Sequence, residues 1–382
     1  MRIAYVGPVP PHRGGIAQHG LRTVEAFERL GHEVVIESWK SLYPAALFKG
    51  ERPSVPRRGG QVRFRLRWWN PLGWVLAGRR CRSADLIVFP WVTPFHAVAM
   101  WVLLRVAGRS AVAIVHNPDP HERMPLARPL LRMVMHRCEG SVVHAEAAAA
   151  VMRARTRLER IAVTPHPPNL ALGAEPMPER PPLRLLFLGF VRAYKGADLA
   201  IDAVAELRRR GVDLRLTIAG DFWEDPAPMH EDLATRMLAD VVELRVGYVP
   251  DEEIGPILAE HHLVVAPYRS ATVSGIAPLA FATGRPMVVT PVGGLPEAVE
   301  HGVNGVVADA VDAVSVADAV LAAADQLDEL AAGAAASALL PVHPGGGIQG
   351  AFPPWRPLVV INDDDNNTVS YTHLTLPTTP YV

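Results

Sequence analysis

Cysteine is nearly missing. Cys81 and Cys138 are the two in 382 residues, so neither a disulfide framework nor a zinc ribbon can be built, and a reducing, cytoplasmic compartment is expected. A dominant charge is missing as well. The formal net charge of -1 argues against a surface that binds polyanions throughout, and no nucleic-acid reader module is present, so nucleic acid is not an expected partner. The N-terminus, MRIAYVGPVPPHRGG, lacks the apolar core and cleavage site of a secretory leader, because Pro8, Pro10 and Pro11 interrupt it. Leu86 to Leu104 carry no charge, but Pro90, Thr93, Pro94 and His96 break what could otherwise span a membrane. Metal-ligand spacing is missing too. Prolines around His116 and His121 prevent a helical His-x-x-x-His face, and no cysteine or carboxylate cluster completes a tetrahedron, so neither a metal nor a cofactor is expected.

What is present has the rhythm of an α/β protein with two domains of ordinary size. The organising stretch is Leu183 to Leu207. Its first part, Leu183 to Phe190, is the near-continuous apolar run of a strand covered on both faces, and Leu199, Ala200, Ala203, Val204 and Leu207 then recur at helical spacing. The loop between them carries Gly189, Arg192, Lys195 and Gly196. Two cations at a strand's carboxyl end, beside a helix N-terminus, make an anion site, although an isolated Arg-x-x-Lys is also an ordinary solvated loop.

The first half opens the same way: strand Met1 to Val6, loop Pro8 to Gly15, helix Ile16 to Leu30 stopped by Gly31, and strand His32 to Ser38. Gly14 and Gly15 let the backbone approach a ligand, and the amides from Gly15 through Ile16 to Ala17 can face a phosphate. A strand ending near Phe89 is followed by a loop and a helix from Phe95 to Ala107, which makes Trp91, Thr93 and His96 candidate ligand contacts at a strand's carboxyl end. His116 and Asn117 follow the next strand, Ala111 to Val115. A histidine there can bond a ligand hydroxyl or move a proton, or it can tie down the proline-rich loop that holds His121. Helices are expected over Met124 to His136 and Ala145 to Arg157, with a short strand around Gly140 to His144. His144 and Glu146 belong either to the cleft wall or to the scaffold.

Residues 57–82 hold Arg57, Arg58, Arg63, Arg65, Arg67, Arg79, Arg80 and Arg82 without one acidic residue, interleaved with Phe64, Trp68, Trp69 and Trp74. Such a stretch can sit on anionic lipid headgroups, or it can pack its tryptophans inward beneath a solvated basic face. Prolines are dense from Pro165 to Pro182 and mark a linker. The expected organisation is a first Rossmann-like domain over 1–168, a linker over 169–182, a second Rossmann-like domain over 183–336, and an irregular tail over 337–382.

Downstream of the organising stretch come LRLTIAGD, ELRVGYVPDEEIGPILAEHHLVVAPY and GRPMVVTPVGGLPEAVEHGVNGVV. In this order they resemble the donor-binding half of the family-4 glycosyltransferases, retaining enzymes of the GT-B fold, over roughly residues 1 to 330. The resemblance implies two Rossmann-like domains facing a cleft. It also implies a nucleotide-sugar donor, a glycan or lipid-linked acceptor, transfer with retention and without a bound metal, and a setting in cell-surface polysaccharide assembly at the inner membrane face. Arg192 and Lys195 match the family's diphosphate-holding pair, His116 its sugar-contacting histidine, and Gly14 and Gly15 its glycine loop, and the resemblance puts Trp91, Thr93, His96, Asn117 and His121 on the acceptor side.

The sequence departs from that pattern at PYRSATVSGIAPLAFATGRP. The family's two glutamates, eight positions apart, fall on Ala271 and Leu279, and Ser274, Gly275 and Ile276 open the helix instead. The pattern resembles a variant branch in which Ser-Gly replaces the acidic pair. The alternatives are a non-catalytic or damaged nucleotide-sugar-binding relative, or a GT-B epimerase or phosphorylase. Glu297 is expected to serve the positive end of the helix that it opens. Ala310 to Ala336 form an alanine-rich helical region. Beyond Ser337 the resemblance stops, and SYTHLTLPT looks like translated adapter DNA, so the tail is read as non-native.

Overall fold

The structure is a computed structural model, which describes residues 1–12, 14–42, 58–59, 62–119, 124, 126–166, 172–339, 359–362 and 369–372. Strand and helix alternate from the start. β1 (Arg2–Val6) leads into α1 (Gly15–Arg29) and β2 (Glu33–Ser41). Then come β3 (Arg58–Gly59), β4 (Val62–Arg67), α2 (Pro71–Cys81), β5 (Leu86–Trp91), α3 (Ala97–Ala107) and β6 (Ser110–Val115). α4 (Ala127–Met135), β7 (Gly140–Val143), α5 (Glu146–Arg155) and β8 (Ile161–Val163) follow. These strands form one eight-stranded sheet in the order β3-β4-β2-β1-β5-β6-β7-β8, parallel except for the β3-β4 pair.

The second half repeats the alternation: β9 (Leu183–Leu188), α6 (Ala197–Arg209), β10 (Leu214–Gly220), α7 (Ala227–Thr235), β11 (Val242–Val246), α8 (Asp251–Ala259) and β12 (Leu263–Ala266). It continues with α9 (Ala277–Ala282), β13 (Met287–Val289), α10 (Leu295–Ala298), β14 (Gly305–Val307), α11 (Ala313–Asp325) and α12 (Leu327–Leu339). Its six strands lie in the order β11-β10-β9-β12-β13-β14, all parallel. The chain steps outward on one side of β9 and then returns to the other, and it does the same about β1. Both strands are therefore topological switch points, where open α/β sheets leave a crevice at the carboxyl end. This geometry explains why the loops after β1 and β9 carry the glycines.

Local sequence accounts for most boundaries. α1 ends in a Schellman motif: Gly31 sits at φ 79°, its N–H bonds Glu28, and the His32 N–H bonds the Phe27 carbonyl. α6 buries Leu199, Ala200, Ala203, Val204 and Leu207, the face that the spacing predicts. Two expectations shift. The helix expected from Phe95 begins instead as a 3-10 turn, Pro94–His96, capped by the Thr93 hydroxyl; α4 starts at Ala127, after Leu126 turns left-handed at φ 64°. The tail also differs from the irregular chain expected, since β15 (Val359–Asn362) pairs antiparallel with β16 (Val369–Thr372).

A buried arginine joins the linker to the second sheet. Arg285 is 0% exposed, and its guanidinium donates to the carbonyls of Leu258, Ala259 and Thr283, and to those of Glu175 and Pro176 in the linker, at 2.7–3.2 Å. Every partner is a neutral carbonyl, so burial holds this guanidinium below the usual arginine range.

Candidate functional site

A pocket of about 410 Å³ lies between the two sheets, within the range of small-molecule sites. Gly14, Gly15, Ile16, His116 and Asn117 wall it on the first domain; Gly189, Lys195, Ser274, Gly275 and Ile276 wall it on the second. Residues separated by up to about 260 positions in sequence thus share one cavity.

The α1 N-terminus has no side-chain cap and no acidic residue in its first turn, so its positive end is left for a ligand. Ala17 is a correction: its N–H already bonds the Gly14 carbonyl at 3.0 Å, which leaves Gly15 and Ile16 as the amides at the pocket. Opposite, Lys195 ends a 3-10 turn, Ala193–Lys195, and Gly196 follows at φ 68°. A Cβ on Gly196 would stand 2.2 Å from the Pro267 carbonyl oxygen, so glycine is required there both for its dihedral and for the close approach. The Lys195 ammonium lies 5.4 Å from the centre of the Tyr268 ring, and burial, its largest influence, lowers its pKa from the usual lysine value. Arg192 is placed differently from the expectation. Its guanidinium stacks 4.0 Å from the centre of the Trp223 ring, and it does not line the pocket.

The first turn of α6, beside this loop, carries an acidic residue: Asp198, which Arg269 holds through two 2.7 Å bonds. Ala271 and Leu279, the positions of the two absent glutamates, both line the pocket. The pocket's carboxylates come from elsewhere: Asp221 directly after β10, and Asp251 at the start of α8. Asp251 accepts from Gln18 at 2.5 Å across the cleft and from the Tyr248 hydroxyl at 3.2 Å. Asp221 was legible as the last residue of LRLTIAGD, at a strand's carboxyl end; Gln18, Tyr248 and Asp251 carried no signal, because only the facing of the domains brings them together.

Histidines gather beneath the first-domain wall. His116, His144 and His166 follow β6, β7 and β8, three neighbouring strands, and the His19 ring on α1 packs 4.9–5.2 Å from each of theirs. His116 and His166 line the pocket, and His144 lies buried behind them. Burial, and then the neighbouring imidazoles, hold His19 and His116 well below the ordinary histidine value; the same causes bring His144 down to about 3. His144, left open by the sequence between cleft wall and scaffold, thus lies buried within a histidine cluster.

The other acceptor candidates lie away from the pocket. Trp91 is buried in the first core; Thr93 caps the turn that follows; the Nε2 of His96 meets the Leu42 carbonyl at 2.7 Å, and burial pulls that imidazole to about 4. A strand's carboxyl end points toward the cleft, but β5 is followed at once by a turn that folds these side chains inward. His121 lies outside the described residues.

Glu297 stands in the first turn of its own helix, as expected, and its carboxylate also reaches the first domain, accepting from the Glu146 and Ala147 N–H groups of α5 at 2.5 and 2.8 Å. Val273, also from the second domain, packs against the first-domain core beside it. Glu297→Gln is expected to leave each domain's melting unchanged but to loosen the closed arrangement, raising KM for a cleft ligand several-fold with a smaller change in kcat. Parental KM together with an unchanged small-angle scattering profile would show that this bridge carries no closure energy.

Comparison with known proteins finds likenesses in the second domain by sequence and across both domains by fold. Residues 182–326 match the family described as Glycosyl transferases group 1. The chain is 32% identical over 136 residues to the α-D-kanosaminyltransferase of Streptomyces kanamyceticus, covering 36% of this chain and 35% of that protein. It is 34% identical over 165 residues to the D-inositol 3-phosphate glycosyltransferase 1 of Catenulispora acidiphila, covering 39% and 38%. The chain thus spans a little over a third of the length of these curated relatives. Among solved structures, sucrose-phosphate synthase from Thermosynechococcus elongatus superposes with a TM-score of 0.70 at 15% identity, covering 87% of this chain and 93% of that one. Anabaena Alr3699/HepE in complex with UDP-glucose superposes with a TM-score of 0.67 at 17% identity, covering 88% and 94%. The chain therefore has the GT-B fold, and its second domain, within residues 182–326, matches the glycosyl transferases group 1 family.

Proposed function

We propose that this protein transfers a sugar, with retention of configuration, from a nucleotide-sugar donor in the interdomain pocket to a glycan or lipid-linked acceptor. The observation that carries this reading is the pairing of Lys195 with the uncapped α1 terminus across one pocket, on a chain with a group 1 domain. Charge builds on the leaving diphosphate as the sugar–phosphate bond loosens. Lys195 and the amides of Gly15 and Ile16 meet that charge with groups already oriented, which is where preorganised electrostatics lower a barrier most. Arg192 stands one turn away on Trp223 and adds to the local positive potential. His116, on the pocket wall, orients the sugar.

Ala271 and Leu279 leave apolar surface where paired carboxylates would hold donor hydroxyls, and Asp221 and Asp251 supply carboxylates to the same pocket from neighbouring elements. This supports a working enzyme over a non-catalytic binder. A thermal-shift screen of nucleotide sugars, followed by donor hydrolysis and transfer assays, tests the reading: the matching donor raises the melting temperature and is consumed. Stabilisation by a donor that is never consumed, with any acceptor, would identify a binding protein instead.

A second feature favours action at a lipid surface. Trp74 and Phe64 pack inward, and Arg63 and Arg80 neutralise the buried Glu37, so part of the basic stretch is scaffold. Trp69, Leu72 and Leu76 remain more than half exposed, beside the exposed Arg65 and Arg79. No helix among the described residues is long and apolar enough to cross a membrane, so contact would be peripheral there. We expect binding to vesicles rich in anionic lipid and release by salt, as surface attraction is screened within about 8 Å at physiological ionic strength. Equal binding to neutral vesicles, or none to either, would remove the membrane from the proposal.

A further inference from the structure

We infer that His116, His144 and His166 form a binding site for a first-row divalent metal, Zn2+ in kind, on the first-domain wall of the cleft. The three histidines leave the carboxyl ends of three adjacent strands, and each offers a ring nitrogen such that all three atoms lie within 4.8 Å of one another. Tetrahedral Zn2+ with Zn–N of about 2.1 Å needs nitrogens roughly 3.4 Å apart, a closure that small side-chain rotations supply. Neutral imidazole is the ligand type that suits such an ion.

Two independent observations point to an occupant. The Nδ1 of His144 lies 3.0 Å from the Thr164 carbonyl oxygen. A carbonyl only accepts, so Nδ1 carries the proton and Nε2 presents its lone pair. Metal-binding histidines are oriented in this way, by donating the other N–H to a backbone carbonyl or carboxylate. That Nε2, and the Nε2 of His116, are buried without a protein hydrogen-bond partner among the described residues, on side chains 6% and 5% exposed. An unpartnered buried polar atom is costly, and two facing one point call for something to bind there. The separation of the ligands, 28 and 22 residues apart, is why no spacing rule shows the site.

Three protein ligands leave a fourth position. His116 and His166 line the pocket while His144 lies behind it, so that position opens to the cleft, where a water or a sugar hydroxyl completes the tetrahedron. The diphosphate cradle at Lys195 belongs to the other domain and does not require the ion.

The test uses the full chain prepared without a polyhistidine tag and measures metal content, Zn2+ affinity and the visible absorption of the Co2+-substituted protein. Expected are about one Zn2+ per chain, the Co2+ bands of a tetrahedral nitrogen site, and at least a 10- to 100-fold loss of affinity in His144→Ala and in His166→Gln. His230→Ala, on the exposed side of α7, should bind as the parent does. Because the Co2+ spectrum needs no variant, a misfolded His144→Ala leaves the test intact. A parent that retains no Zn2+ and gives no Co2+ spectrum, or folded variants that bind Zn2+ as tightly as the parent, would overturn the site. Neither readout uses sugar transfer, so the metal site and the transferase reading fail separately.

Discussion

Lys195→Ala is expected to lower sugar transfer about 100- to 1000-fold, the usual loss when one preorganised donor facing developing negative charge is removed. Its melting temperature should stay within a few degrees of the parent, because the side chain lies on a pocket wall and not in the apolar core. Lys195→Arg should not restore the rate. The ammonium sits 5.4 Å from the centre of the Tyr268 ring, and a planar guanidinium fork replaces a compact point charge there. The lowered pKa adds a pH signature. In the free enzyme the ammonium is lost at a lower pH than a lysine in water would lose it, so kcat/KM should fall early on the alkaline side, and bound diphosphate should push that limb back up. Parental turnover in Lys195→Ala would show that the diphosphate is not held by this loop. Arg192→Ala, with its guanidinium on Trp223, should lose less.

Arg285→Ala should have the largest effect on stability. It removes five hydrogen bonds at once, leaves linker and sheet carbonyls without their donor, and opens a cavity the size of a buried arginine. Losing one partner of a buried polar group costs about 1–3 kcal/mol, and here the orphaned carbonyls share a single site, so a total of about 3–5 kcal/mol is expected. For a domain of this size that corresponds to a melting temperature lower by roughly 10 °C. Arg285→Lys should recover only part of it, because one ammonium with three donors cannot span carbonyls set around a planar fork. A melting curve within about 2 °C of the parent in Arg285→Ala would mean that the linker is not tied down here.

The alternation of strand and helix, the glycine loops after β1 and β9, and the apolar face of α6 were legible because each depends on neighbours in sequence. A strand covered on both faces must be apolar throughout, and a helix against it must repeat every three to four residues. The same locality placed Gly14, Gly189, Lys195 and Ser274 at carboxyl ends of strands, and all of them line the pocket. Where the sequence-based reading of the site failed, the cause was most often a partner far along the chain. Arg192 found Trp223, Glu297 found the amides of α5, and Arg269 found Asp198 in the first turn of α6.

By itself, then, the sequence determined two Rossmann-like halves with ligand loops at their carboxyl ends, since hydrophobic period and glycine placement are properties of contiguous residues. The tertiary structure alone decided which loops face one another. It set Gln18 against Asp251 across the cleft, and it drew His19, His116, His144 and His166 into one buried cluster. The order of strands in a parallel sheet is fixed by how crossover helices pack and not by any neighbouring residue. Groups at the ends of β6, β7 and β8 therefore become neighbours only once those strands lie side by side.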